Sequence, residues 1–207
     1  MARPPWLRWA DALRSIARAG LTYSRDPFDR ERFAQVEAVA MEILDRHADV
    51  VASGAAEVMR SERGYVTPKV DVRAVVFDGA GRLLLVREVS DGRWSLPGGW
   101  ADLGESAAEV AVREVREESG LEVRATQLVA LLDKAKHDHP VQPWYVYKAF
   151  FRCDLVGGAL SRSAETPEAG WFEEGTLPPL STDRVTAAQL AMVFRHRDAP
   201  DLPAAFD

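Results

Sequence analysis

Three glutamates lie close together on one predicted helix, and their spacing could serve a metal ion. Glu114, Glu117 and Glu118 stand at positions i, i+3 and i+4, which places their carboxylates on one stripe of an α-helix. Like charges at this spacing destabilise an isolated helix, so folding alone does not account for them. Mg²⁺ and Mn²⁺ prefer carboxylate oxygens and water as ligands. The stripe therefore predicts a divalent cation that would neutralise charge developing on a phosphoryl group and lower the pKa of a bound water.

The helix that carries this stripe has both ends marked by local chemistry. Ser106 and Glu109 form the pattern of a capping box, and Gly120 follows the last turn, where a left-handed residue is favoured. Arg113 borders the acidic stripe and could pair with its carboxylates. An apolar stripe suited to face a core lies beside it, formed by Ala108, Ala111, Val112 and Val115.

A glycine-rich loop precedes the helix and could add backbone ligands. The run Pro97-Gly98-Gly99 permits a tight turn and a close approach of the backbone to a ligand or metal. The carbonyls of Gly98 and Gly99 are therefore candidate metal ligands. An acidic helix face alone would be read as solvated surface, whereas the face together with the loop favours a site. Zinc is a poor match because the cluster has neither thiolate nor imidazole.

The segment Gly99–Leu121 resembles the Nudix box. Gly99 is followed after five residues by Glu105 and after seven more by the run Arg113-Glu114-Val115-Arg116-Glu117-Glu118-Ser119-Gly120-Leu121, with no departure from the pattern. The resemblance implies a loop–helix–loop on an α/β/α sandwich with a mixed sheet. It also implies hydrolysis of a nucleoside diphosphate linked to another moiety, X, with Mg²⁺ or Mn²⁺ as cofactor.

The same resemblance implies roles for the residues of the box. Glu117 and Glu118 correspond to metal ligands, and Glu114 corresponds to a ligand or to the general base. Arg113 corresponds to a residue that orients the carboxylates, and Glu105 to a supporting residue. The expected catalytic set is Glu114, Glu117, Glu118 and Arg113.

Other segments resemble a Nudix subgroup with a helical N-terminal extension. That subgroup includes CDP-choline pyrophosphatases, and its members are often labelled ADP-ribose pyrophosphatases. CDP-choline is accordingly the first predicted substrate and ADP-ribose the second. Besides the N-terminal helices, the similar segments are Pro68–Arg73, His137–Tyr147, Ser163–Thr166, Leu177–Ser181 and Arg184–Thr186.

A small nucleotide-type substrate would need contacts outside the box. Lysines can hold phosphate oxygens, and aromatic rings can stack on a base or enclose a quaternary ammonium group. Tyr145 and Tyr147 could equally be core residues, and Arg73 could face phosphates or solvent. The predicted substrate-binding residues are Arg73, Lys134, Lys136, His137, Gln142, Tyr145 and Tyr147.

A second acidic patch lies at Glu165 and Glu168. Nudix enzymes often recruit a further glutamate from outside the box, so the resemblance makes either residue a candidate metal ligand or base. The alternative is an ordinary solvated loop.

Composition limits the classes of partner. The chain has 207 residues, 47% of them hydrophobic, and a net charge of −6. This length suits one domain with an appendage or two small domains. The acidic balance argues against DNA as a partner. No run approaches the ~18 apolar residues of a membrane span, so a membrane is not expected as a partner. Secretion is not expected either, and the predicted location is cytoplasmic. Cys153 is expected to be a small buried hydrophobe.

Residues 1–64 are predicted to form a small helical N-terminal domain, followed by the Nudix hydrolase domain at residues 65–207. A first helix should stop at Gly20, a second should run from near Asp29 to about His47, and a third from Ala55 to Arg60. The apolar stripe of the first helix consists of Trp6, Trp9, Ala10, Leu13, Ile16 and Ala17.

Basic residues of the first helix, Arg3, Arg8, Arg14 and Arg18, are expected to lie opposite that stripe. A basic amphipathic helix can lie on a membrane or on RNA. Packing of the stripe on the second helix or on a partner subunit is favoured instead. The domain is therefore expected to support a homodimer or to cover the substrate.

After residue 65 the pattern alternates irregularly between strands and helices, which indicates an α/β fold with a mixed sheet between helices. A helix is expected at Ala107–Glu118, a turn at Gly157-Gly158 and a final helix from near Thr186. The predicted strands are Val70–Phe77, Leu83–Val86, Trp94–Leu96, Val123–Leu132, Trp144–Asp154 and Gly170–Phe172.

Two other functions fit the same residues. The first is removal of pyrophosphate from RNA 5′ ends, with the basic first helix as the RNA contact, although the net charge argues against it. The second is a catalytically silent nucleotide sensor, against which the intact acidic positions argue.

Overall fold

A computed structural model describes residues 4–47, 59–163 and 165–207 of the chain. The chain divides into two compact units, residues 1–68 with 141–145 and residues 69–140 with 146–207. Most of the predicted third helix and the basic residue Arg3 lie outside the described residues. No helix that the structure describes has the length and apolarity needed to cross a membrane.

The first unit contains two long helices, α1 (Pro5–Tyr23) and α2 (Pro27–Arg46). Each helix has a proline in its first turn, where the missing N–H has no cost. The side chain of Asp26 caps α2 by accepting hydrogen bonds from the backbone N–H groups of Phe28 and Asp29. The buried core of this unit consists of Leu7, Ala10, Met41, Leu44 and Met59, with Trp6, Ile43, Val141 and Trp144 packed against it.

The predicted stop of the first helix at Gly20 is wrong, because α1 continues to Tyr23. A Cβ at Gly20 would overlap the ring of Phe33 in α2, so glycine permits close helix packing here. The predicted faces of α1 are also partly wrong. Arg14 and Arg18 are buried, whereas Trp9 and Ile16 of the predicted apolar stripe are more than half exposed.

Burial of the two arginines has a clear electrostatic basis. The guanidinium of Arg14 is paired with Glu62 and donates a hydrogen bond of 3.0 Å to the carbonyl of Met59. Arg18 lies 3.4 Å from the carboxylate of Glu37. Helical periodicity alone does not show that these cations find partners inside the unit, and a buried charge requires such partners.

The described residues of the second unit form seven strands and two α-helices. Two short 3₁₀ helices, Lys134–Lys136 and Glu174–Thr176, lie between them. The strands are β1 (Lys69–Val76), β2 (Leu83–Arg87), β3 (Trp94–Ser95), β4 (Leu121–Asp133), β5 (Val146–Gly158), β6 (Glu168–Phe172) and β7 (Ala205–Phe206); the helices are α3 (Ala107–Ser119) and α4 (Ala187–Asp198).

These strands form two sheets. The first has the order β1-β5-β4-β7, in which β1 pairs with β5 in parallel, β5 with β4 in antiparallel and β4 with β7 in parallel. The second has the order β3-β2-β6 and is antiparallel. The mixed sheet predicted from the sequence is therefore confirmed.

Alternate residues of the four-stranded sheet face two different cores, which produces the predicted α/β/α layering. One core joins Val72, Ala74 and Ala149 to Val110, Ala111 and Val115 of α3. The other joins Val75 and Phe150 to Leu190, Val193 and Phe194 of α4. Helix α3 is thus held against one face of the sheet by Ala111 and Val115 of the predicted apolar stripe and by Val110, which the predicted stripe did not include.

The strand expected at Trp144–Asp154 differs from the observed β5. It begins two residues later, because Trp144 packs with the core of the first unit. It also extends through the predicted turn at Gly157-Gly158, since these glycines pair with Glu122 and Leu121 of β4.

Candidate active site

Helix α3 presents its glutamates because both of its ends are fixed. Ser106 and Glu109 form the expected capping box, and Gly120 adopts a left-handed φ of 74° while its N–H donates to the carbonyl of Arg116. The hydroxyl of Thr166 donates a hydrogen bond of 2.7 Å to the carbonyl of Glu118 and so anchors the last turn of the helix.

Arg113 gathers the carboxylates around it. Its Nε lies 3.0 Å from an oxygen of Glu105, and its Nη1 donates to Glu114 at 2.9 Å and to Glu117 at 3.1 Å. A more distant carboxylate, that of Asp102, lies 3.7 Å from Nη2. A guanidinium fork can hold several carboxylates in a fixed arrangement. The geometry agrees with the orienting role expected for Arg113, which stays a prediction.

Glu118 turns toward the glycine loop. Its side chain is buried, and Oε2 accepts a hydrogen bond of 2.9 Å from the N–H of Gly98. Burial raises the pKa of Glu118 to about 8, despite this hydrogen bond and the nearby positive charge of Arg73. Burial also raises the pKa of the Glu114 carboxyl.

The two loop glycines differ in what their carbonyls can do. The Gly99 carbonyl accepts a hydrogen bond of 2.8 Å from the N–H of Val72, so it takes part in pairing with β1. Gly98 is therefore the better candidate for a carbonyl ligand. Gly99 still shapes the site, since a Cβ there would lie 2.7 Å from a carboxylate oxygen of Glu114.

The residues present fit a hard divalent cation. Glu114 and Glu118 are carboxylates whose ionised forms are disfavoured by burial, and both lie at the Gly98-Gly99 loop. Glu117 is half exposed and is paired with Arg113. A cation would offset the burial of these charges, and the donor set consists of oxygen alone. Among the described residues, however, no three acidic, histidine or cysteine side chains already converge as a ligand set.

Arg73 is not exposed to solvent, and its charge is paired. It is buried, and its guanidinium contacts Asp71 through Nε at 3.0 Å and Nη2 at 2.7 Å. Its Nη1 donates a hydrogen bond of 3.1 Å to the carbonyl of Leu96, just before the glycine loop. Asp71 is also paired with Lys148, which is buried completely.

A second buried group consists of Glu88, which directly follows β2, and Ser95 of β3. Glu88 accepts a hydrogen bond of 2.6 Å from the hydroxyl of Ser95 and lies 2.9 Å from Nε of Arg184. The negative charge of Glu88 is one of the influences that raise the pKa of Glu118, so the two carboxylates are within electrostatic reach. Sequence inspection missed Asp71, Lys148 and Glu88, because only strand register brings them to this site.

The remaining predicted metal ligands are not gathered at the glutamate stripe. Glu168 lies in β6, is about half exposed, and pairs with Arg87 at 3.0 Å. Glu165 is exposed, and its carbonyl accepts from the N–H of Val89. Glu88, outside the box, is a described carboxylate within electrostatic reach of Glu118.

The predicted substrate-binding residues are divided between the two units. Lys134 is buried and Lys136 is exposed in the same 3₁₀ helix, while Nε2 of His137 lies 3.0 Å from the carboxylate of Asp207. Gln142 and Tyr145 belong to the first unit, and Tyr147 lies exposed in β5.

Comparison with known proteins agrees with this architecture. Residues 67–192 match the family model of the NUDIX domain, and residues 4–59 match a model described as a UDP-X-like N-terminal oligomerisation domain. A putative ADP-ribose pyrophosphatase of Bacillus subtilis is 42% identical over 98% of this chain and 97% of its own length.

Two solved structures are also similar. An ADP-ribose pyrophosphatase from Streptococcus suis is 42% identical with a TM-score of 0.62, covering 68% of this chain and all of that chain. A UDP-X diphosphatase is 28% identical with a TM-score of 0.63, covering 100% of this chain and 99% of that chain. The matched domain, the full-length relative and the capped glutamate helix together show that the chain belongs to the Nudix hydrolase family.

Proposed function

We propose that this Nudix pyrophosphohydrolase cleaves a nucleoside diphosphate linked to a moiety X, releasing a nucleoside monophosphate and phospho-X, with Mg²⁺ or Mn²⁺. The observation that carries the proposal is the pair of carboxylates at the glycine loop. Glu118 is bound to the N–H of Gly98, and Glu114 lies against Gly99. Burial disfavours both ionised forms, so a cation that bridges them to a pyrophosphate would stabilise the site.

In this proposal, separate residues of the chain bind the cation, position the carboxylates and act as the base. Glu114, Glu117, Glu118 and the Gly98 carbonyl would hold the cation. When bound, the cation would stabilise charge on the phosphoryl oxygens and lower the pKa of a water molecule. Arg113 positions Glu114 and Glu117 through its hydrogen bonds. Glu114 is the first candidate for the base, because burial raises its pKa toward the range in which a carboxylate can take a proton from water.

ADP-ribose and CDP-choline are the two substrates that the sequence predicts. The names of the Bacillus subtilis relative and of the Streptococcus suis structure support ADP-ribose. A UDP-linked compound is supported by the name of the structure that matches the whole chain. We therefore propose ADP-ribose as the first candidate substrate and keep CDP-choline as the alternative.

A substrate panel tests the proposal. The intact protein would be incubated with ADP-ribose, UDP-glucose and CDP-choline, each with Mg²⁺ and with Mn²⁺, and the products identified by mass. We expect a nucleoside monophosphate from at least one substrate, and loss of that product in Glu117→Gln and Glu118→Gln. Unchanged metal-dependent turnover in both variants would contradict the assignment of the site.

The RNA alternative is weaker than the sequence suggested. It relied on the arginines of α1 as a contact for a polymer, but Arg14 and Arg18 are buried and paired with carboxylates within the first unit, whereas Arg8 is exposed. A small substrate remains the better proposal.

A homodimer formed through the first unit is the second part of the proposal. The matching family model is described as an oligomerisation domain, and α1 exposes Trp9 and Ile16 on one stripe. Exposed apolar side chains on one stripe of a helix could contact a second copy of the chain. Sedimentation of Trp9→Asp should show a shift from dimer to monomer, whereas a dimer unaffected by this variant and by Ile16→Asp would place the interface elsewhere. The role of the unit as a substrate cover stays a prediction.

A further inference from the structure

The carbonyl groups at the end of α3 are held by the chain connection between β5 and β6. The last four carbonyls of an α-helix have no partner within the helix. Glu118 and Ser119 are the last two residues of α3. The Glu118 carbonyl accepts a hydrogen bond of 2.7 Å from the hydroxyl of Thr166, and the Ser119 carbonyl accepts one of 2.8 Å from the N–H of Ser161. The connection therefore completes the helix at a residue that carries a predicted metal-binding carboxylate.

A serine of the same connection sets the direction of these hydrogen bonds. The hydroxyl oxygens of Ser163 and Thr166 lie 2.8 Å apart, so one of them donates to the other. A carbonyl can only accept, so the single hydroxyl proton of Thr166 is donated to Glu118. Ser163 must then donate to Thr166, while its oxygen accepts from the N–H groups of Glu165 and Thr166 at 3.2 and 3.0 Å. Both hydroxyls thus belong to one chain of hydrogen bonds that ends at Glu118.

Thr166 is itself fixed by burial and by its backbone. The residue has no exposed surface, and a β-branched side chain has few rotamers. Pro167 follows it and restricts Thr166 to extended backbone conformations. Its carbonyl accepts from the N–H of Ser163 at 3.0 Å, and the neighbouring carbonyl of Glu165 accepts from the N–H of Val89 at 3.3 Å. The donor hydroxyl is therefore placed by contacts that do not involve the glutamate stripe.

Glu118 is consequently held from two sides. Its side chain accepts from the N–H of Gly98, and its carbonyl accepts from the hydroxyl of Thr166. Helix ends fray, and a shift of the Glu118 backbone would move its carboxylate away from the glycine loop. Carboxylates meet a cation at fixed distances only when the residues that carry them are supported by further hydrogen bonds.

We infer that Thr166, supported by Ser163, is a positioning residue that keeps Glu118 in place for cation binding. This role rests on the cation site of the proposed function and goes beyond it by assigning a task to the segment Ser163–Thr166. The hydroxyl of Thr166 acts through the backbone of Glu118 and is not itself a ligand. Its loss should therefore weaken cation binding, and it should leave the reaction of the fully loaded site almost unchanged.

Calorimetric titration of the intact protein with Mg²⁺ measures this role. Thr166→Val keeps the shape of the side chain and removes the hydroxyl, so it should raise the Kd for Mg²⁺ about tenfold. Thr166→Ser keeps the hydroxyl and should stay within about twofold of the wild type. Ser163→Ala removes the hydrogen bond to Thr166 and should raise the Kd about threefold. At saturating Mg²⁺, the kcat of Thr166→Val should stay within about threefold of the wild-type value.

Val193→Ala is the matched control for a general loss of stability. Val193 is buried in α4, in the core on the other face of the sheet from α3. Its truncation should lower the urea midpoint in EDTA at least as much as Thr166→Val does, and it should leave the Kd for Mg²⁺ unchanged. An equal rise of the Kd in both variants would mean that general stability controls cation binding, and it would overturn the inference.

The other outcomes separate this role from the proposed function. The inference is overturned by an unchanged Kd in Thr166→Val, by a Kd in Thr166→Ser as high as that in Thr166→Val, or by a wild type that binds no Mg²⁺. If Thr166→Val does not fold, Ser163→Ala decides, and an unchanged Kd there has the same consequence. If the Kd values follow the expected order but no compound of the substrate panel gives a nucleoside monophosphate, the proposed function fails and the positioning role stands.

Discussion

Replacement of Glu118 by glutamine should stabilise the metal-free protein and abolish its metal-dependent activity. The wild-type carboxylate accepts a hydrogen bond of 2.9 Å from the N–H of Gly98. The amide oxygen of glutamine can accept the same hydrogen bond, so the local structure should survive. What the variant removes is the charge, which burial disfavours so strongly that the pKa of Glu118 is raised to about 8.

The direction of the effect with pH follows from this pKa. In the unfolded chain Glu118 ionises near 4.5, so between pH 4.5 and about 8 the folded protein holds a proton that the unfolded chain has lost. The associated stability is fully present below pH 4.5 and is lost as the pH rises to about 8. This difference in pKa corresponds to about 5 kcal/mol at most. At pH 8.5, Glu118→Gln should therefore have the higher free energy of unfolding, by up to that amount, whereas near pH 4.5 the two proteins should be equal.

Chemical unfolding in EDTA at pH 4.5 and 8.5, with and without Mg²⁺, measures these quantities. Mg²⁺ at about a hundred times its Kd should stabilise the wild type by about 2.7 kcal/mol, and the variant by much less. Turnover of ADP-ribose should fall at least about a hundredfold in the variant. Glu122→Gln, an exposed glutamate of β4, is the matched control and should change neither quantity. A variant that is less stable than the wild type at pH 8.5 in EDTA would refute the reasoning about burial, and one with normal turnover would refute the metal assignment.

Three further predictions concern the same site. Arg113→Met removes the hydrogen bonds to Glu114 and Glu117. It should raise the Mg²⁺ concentration for half-maximal activity by about 10- to 100-fold, and Arg113→Lys should have an intermediate effect. An unchanged Mg²⁺ titration would contradict the orienting role of Arg113. Gly98→Ala should lower the free energy of unfolding by at least about 2 kcal/mol, because φ is 149° and a Cβ would overlap the carbonyl of Val72. Gly79→Ala, where a Cβ meets nothing within 4 Å, should be neutral in the same urea titration, and equal losses would contradict the steric explanation. EDTA should stop turnover without changing the far-UV circular dichroism spectrum, and Mg²⁺ should restore it; activity that persists in EDTA would exclude the metal role.

Local chemistry in the sequence was enough to locate helix α3. The capping box at Ser106 and Glu109 and the left-handed Gly120 involve contacts between near neighbours, so α3 has the ends that the sequence predicts. Periodicity likewise predicted that Ala111 and Val115 lie in the core, although it missed Val110, which is also buried there. The final helix begins as expected, with Thr186 as its N-cap.

Long-range contacts could not be predicted in the same way. Lys148 lies in an apolar run of β5, and nothing local shows that Asp71, 77 residues away, is its partner. That pairing depends on the parallel register of β1 and β5. Similarly, helical periodicity places Arg14 and Trp9 on α1, but it cannot tell that Arg14 finds a carboxylate inside the unit while Trp9 is left outside.

The glutamate stripe depends both on local sequence patterns and on long-range contacts. The sequence places Glu114, Glu117 and Glu118 on one face, yet in the structure Arg113 holds the first two and Gly98 holds the third. A cation would therefore compete with Arg113 and Gly98 for the oxygens of these carboxylates. Glu117 is half exposed and should be the easiest to release, whereas buried Glu118 gains most from an added positive charge. Binding of the cation should thus begin at Glu118 and be completed by Glu117, so Glu118→Gln should weaken Mg²⁺ binding more than Glu117→Gln does, as measured by calorimetric titration.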